Sequence, residues 1–599
     1  MILRNKTKIM VVVVLGLILE LSGQNRLILS IDEAKSTIRR EIYGALLENW
    51  GRDIYDGLYV GKNSSIPNTN GMRNDIIEGF KECGLSTLEF PGGCFADEYH
   101  WQDGIGPVNQ RPGGESRNGM GTDEYMELCR LINAEPYICA NLKTGTPQEM
   151  EEWINYINNN PSHPEWHVKY WSMGNEPWGC GGEFSAGQFA DQYAQFVEAV
   201  PEIEVKPMIR IAGAGHWGTD WVNAVFDRNP GKLEGFSVHR YLVNDWTDMA
   251  GPSINYTSFQ FHQIIQLAND ALSFIQSFDR AMDRYDPDKK IGLMYNEWGA
   301  WYQEITEQGY TFSQSTVRDA LIAAIHLNIF NNYCERVHLA CVAQPVNVIQ
   351  ALFLTDKNNQ TRMVKTPVFY TFKLFKVHQK AKKIPVNLQA GSFNQNVNGT
   401  NFSYPYLTAS ASLDSTDKVN ITISNSDLSN AHNLQIQIDG STSYASVTGQ
   451  IITASEVTAY NDFGQQEKVN IQTFASDKFS LSGTTLSAEV PSKSVILLTL
   501  TPVPTSVSPL LTRRSGYQDL SIYTKGERKI VIDFTAVPPT PVKLRLLGLD
   551  GSVVAEKKTF VYGNNLVWVP QSNSAISGMY VVHLETEGIS KSQKIALLH

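Results

Sequence analysis

Eight short apolar segments alternating with amphipathic ones, a change of texture near residue 380, and a last stretch of alternating strands after residue 516 predict the architecture. It is an α/β fold: a (β/α)8 TIM barrel followed by a β-sandwich and a small C-terminal all-β domain. The barrel strands are read at residues 42–47, 87–90, 136–140, 168–173, 209–213, 235–239, 291–295 and 337–343. Helical patterns at 74–83, 123–132, 184–200 and 314–333 lie between them. Another helix opens at Thr146-Pro147-Gln148-Glu149, where Thr is the N-cap, Pro fits the first turn and Glu stands three residues after the cap. The barrel is bounded at residues 24–379, with its first strand a candidate member of the sandwich. Over 380–502, Thr, Ser, Val and Asn dominate, and stretches such as Lys418-Val-Asn-Ile-Thr-Ile-Ser424 alternate with period two. No tryptophan falls in this sandwich, which favours a structural role over sugar binding. A Pro/Ser/Thr linker occupies 503–515, and 516–599 form the terminal all-β unit.

A chain of 599 residues implies two to four domains. Its 61 acidic against 50 basic side chains, net −11, with no dense Lys/Arg face, exclude nucleic acid as a partner. Arg4, Lys6 and Lys8 precede an apolar run at residues 9–19, followed by Ser22-Gly23-Gln24. This reads as a secretory signal over residues 1–23 and predicts an exported protein, secreted or at the cell surface. The run is about half the ~20 residues of a membrane span. The seven cysteines show no metal-ligand spacing, and their odd number leaves at least one free thiol or an intermolecular bond. No metal and no cofactor are expected.

The chemistry concentrates in two places. Tyr170-Trp-Ser-Met-Gly-Asn-Glu176 is an apolar strand that ends on Asn175-Glu176; Lys290-Ile-Gly-Leu-Met-Tyr-Asn-Glu297 ends on Asn296-Glu297. Each is followed by Trp and Gly, and no other Asn-Glu dipeptide occurs. Most acidic side chains in such a chain are solvated surface. A carboxylate closing a buried strand is costly unless it reacts or finds a partner. On the strand count the two end the fourth and seventh strands, at the face where barrel enzymes work. Such a pair is suited to act on a sugar ring.

With these strands, three further blocks carry a resemblance. They are Ile42-Tyr-Gly-Ala-Leu-Leu-Glu-Asn-Trp-Gly-Arg-Asp-Ile-Tyr-Asp-Gly57, Phe90-Pro-Gly-Gly-Cys-Phe-Ala-Asp-Glu-Tyr-His-Trp101, and the region from Arg318 to Ile349 that contains Ala343-Gln-Pro-Val-Asn-Val348. The first 500 or so residues resemble glycoside hydrolase family 51, the α-L-arabinofuranosidases. The terminal unit separately resembles the sorting domain of the type IX secretion system, which implies the secretion machinery as a partner. The first resemblance implies Glu176 as general acid/base and Glu297 as nucleophile, their repulsion favouring one neutral acid beside one ionised nucleophile. It implies that Glu48 accepts from sugar hydroxyls, Asn175 bonds the 2-hydroxyl, Tyr241 steadies the nucleophile and Gln344 reaches the ring. Trp301 would form an apolar wall, and Cys94 would lie against the sugar, which makes it the candidate unpaired cysteine. His239 reads as a scaffold histidine. Relatives often form hexamers, so a homo-oligomer is implied too.

One position departs from the pattern. Where family members usually carry Arg, two residues before the Pro of Pro-Gly-Gly-Cys, this chain has Glu89. An anion there would raise the pKa of Glu297, with Arg240 or Arg52 as compensating candidates. The resemblance thus implies a retaining, exo-acting α-L-arabinofuranosidase that removes terminal arabinofuranosyl residues from plant polysaccharides or oligosaccharides. Two alternatives remain: an endo-glucanase or xylosidase of the same clan, and a catalytically weakened surface polysaccharide-binding protein.

Overall fold

The structure is a computed structural model that describes residues 25–503 continuously and, beyond them, 520–524, 530–534, 541–548, 552–560, 565–568, 578–586 and 589–597. The expected leader at 1–23 and nearly all of the expected linker lie outside the described residues. Eight parallel strands close into a barrel. They are β1 (Gly44–Leu46), β2 (Thr87–Phe90), β3 (Glu135–Ala140), β4 (Tyr170–Met173), β5 (Ile209–Ala212), β6 (Gly235–Leu242), β7 (Gly292–Ala300) and β8 (Val337–Ala343). They pair in chain order, and β8 returns to β1.

Local chemistry sets the surrounding helices. Helix α1 (Asn74–Cys83) ends on Gly84, whose φ of 75° is the left-handed C-cap that glycine adopts without strain. Next come α2 (Thr122–Ile132) and α3 (Pro147–Asn158). Thr146 caps α3 by accepting from the Glu149 amide at 3.1 Å, as its sequence predicts. Ser185 and Thr257, each with Gln three residues on, cap α4 (Ala186–Glu198) and α6 (Ser258–Asn269); α5 (Asp220–Arg228) lies between them. Two helices, α6 and α7 (Ala271–Met282), rather than one, follow β6. Inside the barrel Leu46, Tyr137, Tyr170, Ile211, Met294, Leu339, Cys341 and Ala343 form a packed layer, so the interior is core and not a pore.

Helix α8 (Val317–Asn332) is buried on every side from Val317 to Asn331. A helix buried all round needs apolar partners on two faces. Here α8 has the barrel on one side and a six-stranded sheet on the other. Its polar side chains are spent on that sheet: Asn328 donates to Thr408, Asn331 to Ser410 and Asn332 to the Ala409 carbonyl. The sandwich has a second, five-stranded sheet in which strand Asn25–Ser30, from the start of the described chain, pairs parallel with His432–Asp439. The terminal unit, taken by itself, has a three-stranded and a four-stranded antiparallel sheet.

Candidate active site

Glu176 lies just past β4, after Gly174 and Asn175, and Glu297 lies within β7, both at the C-terminal face of the barrel. One carboxylate oxygen of each and a ring nitrogen of His239 lie within 4.8 Å of one another. His239 Nδ1 is 2.9 Å from Glu176 Oε1 and 3.4 Å from Glu297 Oε1. Strand register places it there, because β6 pairs with β7 so that His239 is opposite Glu297. Ser237, His239 and Tyr241 alternate along β6 and so share its inner face. The β7 ladder slips between Met294 and Glu297, and this bulge lets two consecutive residues, Asn296 and Glu297, both reach inward partners.

Glu297 accepts a 2.6 Å bond from the Tyr241 hydroxyl to Oε2. Glu48, in the turn after β1, accepts from Gln344 Nε2 at 2.7 Å and from the Cys94 amide at 3.1 Å. Asn175 donates its backbone N–H to Asp97 at 3.0 Å, while its side-chain Oδ1 and Nδ2 are buried without a protein partner. Gln344 Oε1 is buried and unbonded as well. Buried polar atoms left unpaired cost roughly 1–3 kcal/mol each, which sugar hydroxyls would recover. Trp301 stands edge-on to Tyr241 at 5.1 Å and to Trp50 at 5.0 Å. Exposed Trp246 and Tyr310 continue that side, and exposed Trp217 packs on Trp178 beside Glu176.

Burial pushes the carboxyls up: Glu176 and Glu297 to about 8, Glu48 to about 7. Around Glu297, His239 opposes that rise, the Glu176 and Glu48 charges add to it, and the Tyr241 hydrogen bond opposes it. Among the described residues no such hydroxyl donor reaches Glu176, so of the two it is Glu297 whose ionised form a hydrogen bond favours. Burial also lowers His239, which favours the neutral ring. Glu176 has φ of 43°, the left-handed region, and its carbonyl closes a tight turn by accepting from Gly179 and Gly181. Gly215 passes so close behind that a Cβ there would meet His239 Cε1 at 2.8 Å and Glu176 Cγ at 3.1 Å.

Two expectations need correction. Cys94 is not unpaired: it forms a disulfide with Cys180, Cα–Cα 5.6 Å, and the five free cysteines are all buried. The loops after β2 and β4 flank each other at the barrel mouth, so residues 86 apart in sequence meet beside Glu176, and a sulfur in that bond is no free thiol against a sugar. Nor do Arg240 and Arg52 compensate for Glu89. Arg240 donates to the Asp270 carbonyl, and Arg52 to Gln308 and Thr355. Glu89 is instead fully buried within β2, with both oxygens on Asn296 Nδ2 at 3.0 and 3.2 Å. Sequence reasoning also missed Asp97, which holds the Leu142 and Asn175 amides and so ties together the loops after β2, β3 and β4. Its only sequence signal is membership of the Phe-Ala-Asp-Glu block.

Residues 80–257 match the family model described as α-L-arabinofuranosidase 1 domain, and residues 296–494 match that of the α-L-arabinofuranosidase C-terminal domain. An intracellular exo-α-L-arabinofuranosidase of Bacteroides ovatus is 34% identical over 492 residues, covering 78% of this chain and 94% of the relative. A crystal structure of a family 51 arabinofuranosidase from Xanthomonas axonopodis pv. citri aligns with TM-score 0.75 and 31% identity, over 80% of this chain and all of that one. The α-L-arabinofuranosidase of Thermotoga maritima in its arabinose complex aligns with TM-score 0.69 at 25% identity, again over 80% and 100%. The expectation of export is corrected by the first of these, since that relative is intracellular. The apolar run behind the expectation lies outside the described residues, and among those described no helix is long and apolar enough to cross a membrane. The family matches end at residue 494, so the resemblance of the terminal unit to a sorting domain is not carried further.

Proposed function

The chain belongs to the α-L-arabinofuranosidases of glycoside hydrolase family 51, and from that premise we propose that it is a retaining, exo-acting enzyme that removes terminal arabinofuranosyl residues from plant-derived oligosaccharides or polysaccharides by double displacement. The observation that carries this reading is the close approach of Glu176 and Glu297 around His239. Retaining glycosidases hold their carboxyl groups about 5–5.5 Å apart, and inverting ones roughly 6.5–9.5 Å apart to admit a water.

In the first step Glu297 Oε attacks the anomeric carbon while the bond to the leaving oxygen breaks and Glu176 gives that oxygen its proton. In the second, water attacks the same carbon, Glu176 takes the water's proton, and Glu297 departs as carboxylate. Formation of the ester removes the Glu297 charge, which lowers the pKa of Glu176 and suits it to act as base. Tyr241 holds Glu297 ionised and aimed. The unpaired Asn175 amide suits the 2-hydroxyl, where hydrogen bonds strengthen at the transition state. Glu48, fixed by Gln344 and the Cys94 amide, accepts from ring hydroxyls, and Trp301 walls the sugar.

The test is release of arabinose from a p-nitrophenyl α-L-arabinofuranoside. Glu176→Ala and Glu297→Ala are both expected to lose activity by orders of magnitude. Azide should restore Glu176→Ala with retained product configuration and Glu297→Ala with inverted configuration. Undiminished turnover in either variant would overturn the assignment.

A further inference from the structure

Glu89, Asn296, Ser237 and His239 form a line of hydrogen bonds from the barrel interior to the carboxyl pair, and its donors and acceptors run in one direction. Asn296 Nδ2 donates to Glu89, at 3.0 Å to Oε2 and 3.2 Å to Oε1. That orients Asn296 Oδ1 toward Ser237, whose hydroxyl donates to it at 2.7 Å. A hydroxyl has one proton, so toward His239 Nε2, 3.4 Å away, Ser237 Oγ can only accept. The imidazole therefore carries its proton on Nε2 and presents the Nδ1 lone pair to Glu176 Oε1 at 2.9 Å. Two bare acceptors do not sit at that distance; the proton between them is the acid proton of Glu176.

We propose that Glu89 is a positioning residue that sets the direction of this relay, fixing the His239 tautomer and thereby retaining the proton on Glu176 in the resting enzyme. The proposal rests on the reading of Glu176 as the general acid. The titratable neighbours of the relay are Glu48 from the turn after β1, Tyr125 from α2, Tyr137 and Cys139 from β3, Tyr241 from β6, Glu297 from β7 and Cys341 from β8, besides Glu176 itself. No cation is among them, so the buried Glu89 carboxyl is held well above the usual range by desolvation first and the Glu297 charge second.

Substituting Arg would reverse the relay. A guanidinium only donates. Asn296 would turn Oδ1 to it and Nδ2 to Ser237, Ser237 would donate to His239 Nε2, and the ring proton would move to Nδ1. Donation from Nδ1 to Glu176 favours its carboxylate form and lowers the pKa of the acid.

The experiment uses the full chain. The pH dependence of kcat/KM on an aryl arabinofuranoside is measured for the wild type, Glu89→Gln, Glu89→Arg and Ser237→Ala. The His239 tautomer is read from two-bond proton–nitrogen NMR of labelled histidine, assigned by its loss in His239→Asn. Wild type and Glu89→Gln should carry the proton on Nε2, and Glu89→Arg on Nδ1. The basic limb of Glu89→Arg should fall by about one unit or more, a roughly tenfold loss above it, and by more than the acidic limb. A bare charge effect would lower both limbs together and would overturn the proposal. Ser237→Ala adds no charge and should lower the basic limb alone, so it decides the question if Glu89→Arg does not fold. A wild-type proton on Nδ1, or a basic limb unmoved in both variants, would also refute it. Full activity in Glu176→Ala would instead sink the acid assignment and leave the tautomer result standing.

Discussion

Tyr241→Phe removes one oxygen and with it the 2.6 Å hydrogen bond to Glu297 Oε2. Phenylalanine keeps the ring against Trp301, so packing is preserved. A hydrogen bond to a charged group contributes about 1.5–3 kcal/mol, and one pKa unit corresponds to about 1.36 kcal/mol. The bond favours the ionised form of Glu297, so its loss raises the pKa of the nucleophile by roughly one to two units. The other oxygen, Oε1, has only His239 at 3.4 Å and cannot replace the donor. The acidic limb of kcat/KM should therefore move to higher pH by that amount. Activity below the limb should fall about 10- to 100-fold, with smaller loss on the plateau. Rates on an aryl arabinofuranoside across pH, with circular dichroism to verify the fold, provide the assay. An acidic limb that stays put, or moves down, would refute the view that Tyr241 keeps Glu297 charged.

Other outcomes follow from the same geometry. Glu48, Glu176, Glu297 and Asp97 all have folded-state pKa values raised by burial, to between about 7 and about 8. The folded chain thus holds protons that the unfolded chain has already released, so stability should decline as pH rises from about 4.5 to about 8. Thermal melts across that range check it, and Glu176→Gln should raise the melting temperature at pH 8. Gly215→Ala places a methyl against His239 and Glu176 at a φ of 55°. That conformation alone costs roughly 1–2 kcal/mol, and kcat should fall at least about tenfold. Loss of the Cys94–Cys180 bond in the double Ser variant frees a loop with a separation of 86 residues. Chain entropy puts that at ~4–5 kcal/mol at most; the melting temperature should drop and KM rise, because Cys94 also holds Glu48 through its amide.

The sequence revealed what depends on local pattern. Short apolar runs located all eight barrel strands, and the cap at Thr146 located α3. Those runs brought Glu176 and Glu297 to the C-terminal face, although the seventh strand does not end on Glu297 but runs on to Ala300. What was hidden depends on contacts between distant segments. The pairing of Cys94 with Cys180 is set by which loops adjoin at the mouth, and spacing does not encode it. His239 read as scaffold because its place between the carboxyls comes from the β6–β7 register. The sequence gives Asn296 no role; alternation from the inward Met294 turns it inward to Glu89, and the β7 bulge is what lets the adjacent Glu297 face inward as well. The first strand was already a candidate member of the sandwich, but which strand Asn25–Ser30 pairs with, about 400 residues later, lies beyond the reach of any window along the chain.

Helix α8 gives the architecture an unforeseen indivisibility. The composition shift near residue 380 invites a cut between two modules, yet α8 lines both of them. The family match from 296 to 494 runs straight across that line, from β7 to the start of the last sandwich strand, Ser494–Pro502. Excising the sandwich would leave the asparagines at 328, 331 and 332 and a whole apolar helix flank open to water. Strand β7, which carries Glu297 and packs on α8, would lose its backing. The sandwich behaves as the outer wall of the barrel rather than an appendage.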